Sequence, residues 1–230
     1  IYIQGFSTSM PEDVQELMVH SLKGLENATR YLVEERHLDP KIVQALEIHG
    51  LIAEDKMKNI IFKWTTRDGE IVGGDRQGTI PVDNKRGFFK GIIANSKEDG
   101  GFSLDIGTPN KIAFFEAPID ALSYFDLKRP QNIRLKSMSG LKDQVVMSSI
   151  RELLRECNGR REPVEKIIFA VDNDPAGREY AKKWEHIIGE NVLNFDFSQE
   201  KDWNEDLKKK RKLEKALVQN KGYEPQGVER

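Results

Sequence analysis

The residues best suited to chemistry in this sequence are acidic, and they follow three short apolar segments. Glu116 follows the first segment, and Asp172 and Asp174 follow the second. Asp202 lies beyond the third. The carboxyl ends of parallel strands meet at one edge of a sheet, and ligands bind there. Clustered carboxylates repel one another unless a cation lies between them, and an all-oxygen ligand set favours Mg²⁺ or Mn²⁺.

The pair formed by Asp172 and Asp174 also has a structural interpretation. Asp174 precedes Pro175, and Asp is favoured at a helix N-cap while Pro is favoured at the first helical position. Three acidic groups at one sheet edge nevertheless favour a metal site. Because phosphoryl transfer requires charge neutralisation on the attacking and leaving oxygens, the pattern indicates metal-dependent chemistry on phosphates.

The second half of the chain contains the elements that must position these acids. Its apolar segments 111–115, 166–171 and 191–197 are typical of buried parallel strands, and 133–137 is a further candidate strand. Segments with helical periodicity lie between these strands and after the last one. This alternation of strands and helices predicts a parallel α/β sheet flanked by helices. The predicted helices span 118–127, 141–157, 175–188 and 202–219.

The first half of the chain has a different pattern. Helices are predicted first, and then short strands separated by glycines. Together they indicate a small mixed α+β lobe in front of the parallel sheet. The predicted helices span 11–25, 28–35 and 40–50, and the predicted strands span 59–64, 70–74, 87–93 and 101–105.

Three segments carry a resemblance to a known family, namely 115–122, 171–178 and 201–207. They resemble the three motifs of the Toprim domain, the glutamate and DxD module of primases, type IA and type II topoisomerases and some nucleases. The resemblance is strongest to the catalytic core of bacterial DnaG-type primases and to the primase-like (LtrC-like) Toprim proteins of plasmids and conjugative elements. It covers residues 28–208, with a weaker match upstream of the motifs.

The resemblance implies roles for the acidic residues. Glu116 acts as general acid/base or organises the metals, and Asp172 and Asp174 are catalytic residues that bind Mg²⁺ or Mn²⁺. Asp202 completes the acidic cluster.

The resemblance also implies a Toprim-type sheet and a division of the chain. The expected domains are a primase-core-like lobe over 1–108, a Toprim domain over 109–208 and a basic C-terminal helix or tail over 209–230. The basic residues expected to contact nucleic acid or nucleotide are Arg76, Lys90 and Arg178.

Two motifs depart from the primase pattern. Glu116 is followed by Ala117 where the family has Gly, so this turn differs. Asp202 is not followed by a second acid two positions later, because Asn204 stands there. The missing acid is either replaced by Asn204 or supplied by Asp206, and the number of metals, one or two, stays open.

The resemblance implies metal-dependent nucleotidyl transfer on single-stranded DNA, in the form of primase-like RNA primer synthesis for a mobile genetic element. The expected partners are a single-stranded DNA template, nucleoside triphosphates and replication or conjugation proteins. Two alternatives use the same motifs. One is a Toprim nuclease or nicking enzyme, and the other is a non-catalytic DNA-binding module with vestigial acids.

Composition restricts the class of protein. The chain has 230 residues, 36 Lys and Arg against 38 Asp and Glu, and a net charge of −2. It contains no apolar stretch long enough to span a membrane. Its single cysteine, Cys157, rules out a disulfide framework and a cysteine-based zinc site within this chain, so we expect a cytoplasmic protein.

Three further features have two interpretations each. The basic run 208–212 is either a solvated helix face or a phosphate-binding patch. Gly177 weakens the first turn of a predicted helix, which indicates the close approach of either another backbone or a phosphate. Trp203 lies beside the acids, and it is either a core residue or a nucleotide contact.

Overall fold

The computed structural model describes residues 24–83 and 87–221, with side chains to residue 218. The helix predicted over 11–25 therefore lies almost entirely outside the described residues.

Four antiparallel strands form the first sheet. They are β1 (Ile52–Glu54), β2 (Ile60–Thr65), β3 (Ile71–Pro81) and β4 (Phe88–Ile92), and their spatial order follows the chain. The three-residue β1 was not predicted, because so short a strand shows no periodicity. Strand β3 also continues well beyond the predicted 70–74.

Five strands form the second sheet in the order β5-β7-β6-β8-β9. Strands β7, β6, β8 and β9 are parallel, whereas β5 runs antiparallel to β7 at the sheet edge. The segment predicted as a last strand of the first lobe thus joins the second sheet. These strands are β5 (Ser103–Ile106), β6 (Lys111–Phe115), β7 (Ile133–Ser137), β8 (Lys166–Phe169) and β9 (Leu193–Phe195).

Helices flank both sheets. Helix α1 (Glu26–Arg30) continues as a π-helical turn (Tyr31–Glu35). The remaining helices are α2 (Pro40–Ile48), α3 (Pro118–Lys128), α4 (Asp143–Arg160), α5 (Pro175–Glu185) and α6 (Trp203–Lys221). Among the described residues, no helix is both long and apolar enough to cross a membrane.

The central strands of the second sheet are buried on both faces. Ile112 and Phe114 of β6 pack into a core that includes Cys157 of α4. The alternate residues Ala113 and Phe115 pack into a second core on the opposite face. This two-sided burial explains the continuous apolar run in the sequence, and it confirms an α/β sheet covered by helices.

A third core joins the two sheets. Phe62 and Trp64 of β2 share it with Ile119 of α3 and Leu207 of α6. The first sheet therefore packs against the helices that carry the carboxyl-end loops of the second sheet. This packing fixes the position of the loops relative to the first sheet.

Candidate active site

A cleft of about 670 Å³ lies where the first sheet faces the carboxyl edge of the second. Three of the four predicted acids line it, Glu116 after β6, Asp172 after β8 and Asp202 just before α6. The facing wall includes Gln77 of β3 and Lys90 of β4. The loops that carry Glu116, Asp172 and Asp202 therefore meet at one edge of the sheet.

Glu116 and Asp172 are in direct contact. The backbone N–H of Asp172 donates to Oε1 of Glu116 at 3.3 Å. Burial raises the pKa of Asp172 to about 7, and the charges of Glu116 and Asp202 contribute to that rise. Burial also raises the pKa of Glu116, while the Asp172 hydrogen bond opposes it. The acids therefore repel one another in a partly desolvated pocket.

Lys201 was not among the predicted site residues. It lines the cleft beside the acids, and its charge lowers the pKa of both Glu116 and Asp172 against the effect of burial. Lys90, which was predicted, acts in the same direction on Glu116 from the opposite wall. A sequence signal existed, since Lys201 directly precedes Asp202 in the third motif.

Asp120 is a further acid of the cleft that sequence reasoning missed. It lies in the first turn of α3, is 8% exposed and lines the cleft with Asp172 and Asp202. Burial, and then the charges of Asp202 and Asp172, raise its pKa well above the ordinary value. The backbone N–H of Asn204 donates to its Oδ1 at 3.3 Å.

Asp174 caps a helix, as its structural interpretation predicts. Its Oδ1 accepts a hydrogen bond from the backbone N–H of Gly177 at 2.9 Å, with Pro175 at the first position of α5. Asp174 does not line the cleft, yet its charge contributes to the raised pKa of Glu116. Asp174 thus lies outside the cleft and acts on Glu116 through its charge.

The two candidates for the missing acid of the third motif are engaged elsewhere. The Asn204 side-chain amide donates to the backbone oxygen of Arg36 at 2.9 Å and to Oγ of Ser123 at 3.0 Å. The Asp206 carboxylate accepts the backbone N–H groups of Gln199 and Glu200. Both side chains hold the loop in place, and Asp120 supplies the additional carboxylate of the cleft.

The three predicted basic residues have different positions. Lys90 is exposed and lines the cleft. Arg76 also lines the cleft, and its Nε lies 3.2 Å from Oδ2 of Asp55, with which it forms an ion pair. Arg178 lies outside the cleft lining, where its guanidinium stacks on Phe197.

The donor set of the cleft fits a hard divalent cation. All its acids are carboxylates, whose pKa values are raised first by burial and then by the charges of neighbouring carboxylates, and a bound cation would favour their ionised forms. Within 24–83 and 87–221, no three Asp, Glu, His or Cys side chains already converge at metal-binding distance. Mg²⁺ needs only one or two carboxylates because it keeps several waters.

Trp203 belongs to the core. It is 2% exposed, its Nε1 donates to the backbone oxygen of Ala170 at 2.9 Å, and its ring meets Tyr124 edge-on at 4.8 Å. Trp203 therefore anchors the start of α6 beneath the acids.

Gly177 allows close packing of α5 on the loop that carries Asp172. A Cβ atom at this position would lie 2.3 Å from the backbone oxygen of Asp172 and 3.2 Å from Oε1 of Glu116. No real Cβ tolerates such a distance from a backbone atom. The approach inferred from the sequence is thus that of another backbone.

Gly177→Ala is expected to destabilise the fold by about 2 kcal/mol, since overpacking costs about 1–3 kcal/mol. The matched control is Gly159→Ala in α4, where a Cβ would meet nothing within 4 Å. That change should stabilise by about 0.4–1 kcal/mol. Urea unfolding of both variants tests the pair, and equal stability of Gly177→Ala and the wild type would contradict the packing assignment.

The comparison with protein families covers three segments. Residues 113–207 match the Toprim-like family. They form a Toprim-like domain. Residues 30–109 match a family of unknown function (DUF3991), and residues 1–51 match the glucose inhibited division protein A family. The cleft therefore combines acids of the Toprim-like domain with a wall formed by the segment in front of it.

Two relatives differ in how much of the chain they match. The uncharacterized protein pXO2-78 of Bacillus anthracis is 33% identical over 229 residues, which are 93% of this chain and 66% of that protein. The tRNA uridine 5-carboxymethylaminomethyl modification enzyme MnmG of Streptococcus sanguinis is 39% identical over 98 residues, which are 41% of this chain and 13% of that enzyme. Only the first similarity extends across the cleft and the Toprim-like domain.

Solved structures share the fold at low sequence identity. The primase fragment of the bacteriophage T7 primase-helicase has a TM-score of 0.56 at 18% identity, covering 80% of this chain and 72% of that one. The RNA polymerase domain of Mycobacterium tuberculosis primase DnaG, in complex with double-stranded DNA with an overhang, has a TM-score of 0.57 at 14% identity, covering 90% and 80%. A DnaG primase catalytic domain bound to single-stranded DNA has a TM-score of 0.53 at 13% identity, covering 90% and 81%. The predicted resemblance to the primase catalytic core is confirmed for the fold.

Proposed function

We propose that this chain is a metal-dependent nucleotidyltransferase that synthesises RNA primers on single-stranded DNA. The observation that carries the proposal is the cleft itself. Glu116, Asp120, Asp172 and Asp202 line one side of it, and Lys90 lines the other. The similarity in fold to primase cores, one of them bound to single-stranded DNA, supports the same function.

The acids of the cleft would hold Mg²⁺ or Mn²⁺. Asp172, Asp202 and Asp120 are the proposed ligands, with Asp174 acting electrostatically from its capping position. When bound, the metal neutralises charge on the oxygens of the reacting phosphate. Because Asp120 replaces the acid missing from the third motif, the cleft has enough carboxylates for more than one ion.

The other residues of the cleft would position substrate and move a proton. Burial raises the pKa of Glu116, which makes its carboxylate a stronger base for accepting a proton from an attacking hydroxyl. Lys90 and Lys201 would bind the triphosphate, since both border the acids from different elements. Arg76 and Arg178 would contact the template farther from the reacting atoms.

We also propose that the chain acts for a mobile genetic element. Its relative pXO2-78 is encoded on a plasmid, and priming single-stranded DNA is a step that plasmid replication and transfer need. Replication or conjugation proteins are then the partners. The proposed division is a primase-core-like lobe up to residue 108, a Toprim-like domain up to 208 and a basic helix after it.

Incubation with single-stranded DNA, labelled nucleoside triphosphates and Mg²⁺ or Mn²⁺ tests the proposal. We expect short RNA products that disappear with EDTA and in the Asp202→Asn variant. Cleavage of labelled DNA without nucleoside triphosphates would replace the proposal with a Toprim nuclease. DNA binding with neither synthesis nor cleavage would replace it with a non-catalytic module.

Asp172→Asn is expected to raise the stability of the metal-free protein and to weaken metal binding. The pKa of Asp172 lies near 7 in the folded protein, so the folded state holds a proton that the unfolded state has lost between about pH 4 and 7. Wild-type stability should therefore fall as the pH rises through this range, and the variant should show a flatter profile.

Thermal melts at pH 8 measure this effect. Without metal, the variant should melt about 2–4 °C higher than the wild type, the shift that corresponds to about 1 kcal/mol. Mn²⁺ should raise the melting temperature of the wild type more than that of the variant, because only the wild type has the full ligand set. An equal rise in both proteins would show that Asp172 is not a ligand.

A further inference from the structure

The structure divides the basic run 208–212 between different environments. Arg211 points inward, and its Nη2 donates to both carboxylate oxygens of buried Asp126 at 2.9 and 3.1 Å. Lys209 forms an ion pair with Glu200. The run as a whole is therefore neither a solvated helix face nor a single phosphate-binding patch.

A narrower basic stripe crosses the run and extends beyond it. Lys208, Lys212 and Lys215 occupy one face of α6, because residues four and three positions apart lie above one another on a helix. Their successive spacing along the helix axis is roughly 6 and 4.5 Å. Lys210 lies on the opposite face of the same helix.

The stripe is connected to the acidic cleft. Lys208 and Lys212 line a groove of about 320 Å³ together with Lys201 and Lys209. Lys201 also lines the 670 Å³ cleft, so the groove begins where the cleft ends. We call Lys208, Lys212 and Lys215 the α6 lysine track.

The groove keeps a net positive charge despite its acidic residues. Its two acids are Glu200 and Glu205; Glu200 pairs with Lys209, and Oε1 of Glu205 lies 2.8 Å from Nζ of Lys208. Lys212 and Lys215 are exposed on the same face. Partial burial, and then the charges of Lys215, Lys208 and Lys212, lower the pKa of His37, which shows that the positive field reaches the first lobe.

We infer that the α6 lysine track binds the phosphate backbone of the single-stranded DNA that occupies the cleft. The lysines form a single line of positive charge along the helix, which suits contacts to several phosphates of one strand. The groove contains one apolar side chain, Leu213, and no aromatic residue among those that line it, so it suits backbone contacts rather than base recognition. An acidic protein would match the charge but would not explain the continuity with the cleft.

Salt-dependent binding of fluorescein-labelled oligo-dT, measured by anisotropy without metal or nucleotide, tests this inference. The variant Lys212→Gln/Lys215→Gln removes two charges from the track. The matched control Lys182→Gln/Lys210→Gln removes two exposed charges from α5 and from the opposite face of α6. Both double variants change the net charge equally.

The track variant should lose about 1.4 from the slope of log affinity against log salt, since each phosphate contact contributes about 0.7 for a single strand. Its affinity near 0.1 M salt should drop on the order of tenfold. The control should keep the wild-type slope, and equal slopes in the two double variants would overturn the inference. The inference rests on the proposed function, but this binding assay does not need priming activity, so the two fail independently.

Discussion

Glu116→Gln is expected to lower primer synthesis by about 10²–10⁴-fold, the usual contribution of a positioned general acid or base. Glutamine has the same shape, and its amide oxygen can still accept the backbone N–H of Asp172, which now lies 3.3 Å from Oε1 of Glu116. The fold should therefore survive while the carboxylate is lost. Initial rates of labelled nucleotide incorporation on single-stranded DNA measure the effect.

The matched control for this variant is Glu179→Gln, which removes an exposed carboxylate from α5. It should retain wild-type activity. The Glu116 charge contributes to the raised pKa of Asp172, so this pKa should be lower in the Glu116 variant. The variant should therefore begin to bind Mn²⁺ at a lower pH than the wild type. Synthesis by Glu116→Gln at more than about one tenth of the wild-type rate would argue against a role in proton transfer.

The placement of Glu116, Asp172 and Asp202 could be predicted from the sequence because it depends on strand ends alone. Each strand of a parallel sheet delivers its next loop to the same edge, whatever the details of packing. The strands themselves were visible because burial on both faces leaves a continuous apolar run. Topology and hydrophobicity thus determine this part of the site.

Asp120 and Arg76 show what the sequence pattern leaves out. An acid in the first turn of a helix is ordinarily an exposed residue that favours the helix dipole, so Asp120 has no sequence signal that separates it from that role. Only the packing of α6 over α3 buries it beside Asp202. Arg76 lines the cleft but also forms an ion pair with Asp55, a contact that depends on how β2 and β3 pair in space.

Whether Asn204 or Asp206 replaces the missing acid of the third motif can be decided only from the hydrogen bonds of the loop. Asn204 and Asp206 both have side chains that suit metal binding, and the sequence alone does not distinguish that role from a structural one. The Asn204 amide connects α6 to Arg36 of the first lobe, and the Asp206 carboxylate closes the turn at 199–200. The first interaction joins residues whose proximity depends on the complete fold, and the second depends on the turn that precedes α6.

Asp126→Ala is expected to destabilise the protein by about 2–3 kcal/mol, because it removes a buried carboxylate that accepts charge-assisted hydrogen bonds. The Asp126 side chain is 1% exposed and forms ion pairs with Arg129 of the α3 C-terminus and Arg211 of α6, at 2.8 and 2.9 Å. Its Oδ2 also accepts the backbone N–H of Asp39 at the start of α2. One carboxylate therefore connects three helices from both lobes.

Urea unfolding of three variants separates the contributions to this loss. Asp126→Asn keeps an acceptor for the Asp39 N–H and should lose less than Asp126→Ala, while Arg211→Ala leaves the Arg129 pair intact and should also lose less. Because α6 begins directly after Asp202, loosening this helix should also weaken Mn²⁺ binding in Asp126→Ala at temperatures where it remains folded. A loss below about 0.5 kcal/mol, the range of ordinary surface substitutions, would show that the donors released from Asp126 find other partners and that α6 is held by its apolar face alone.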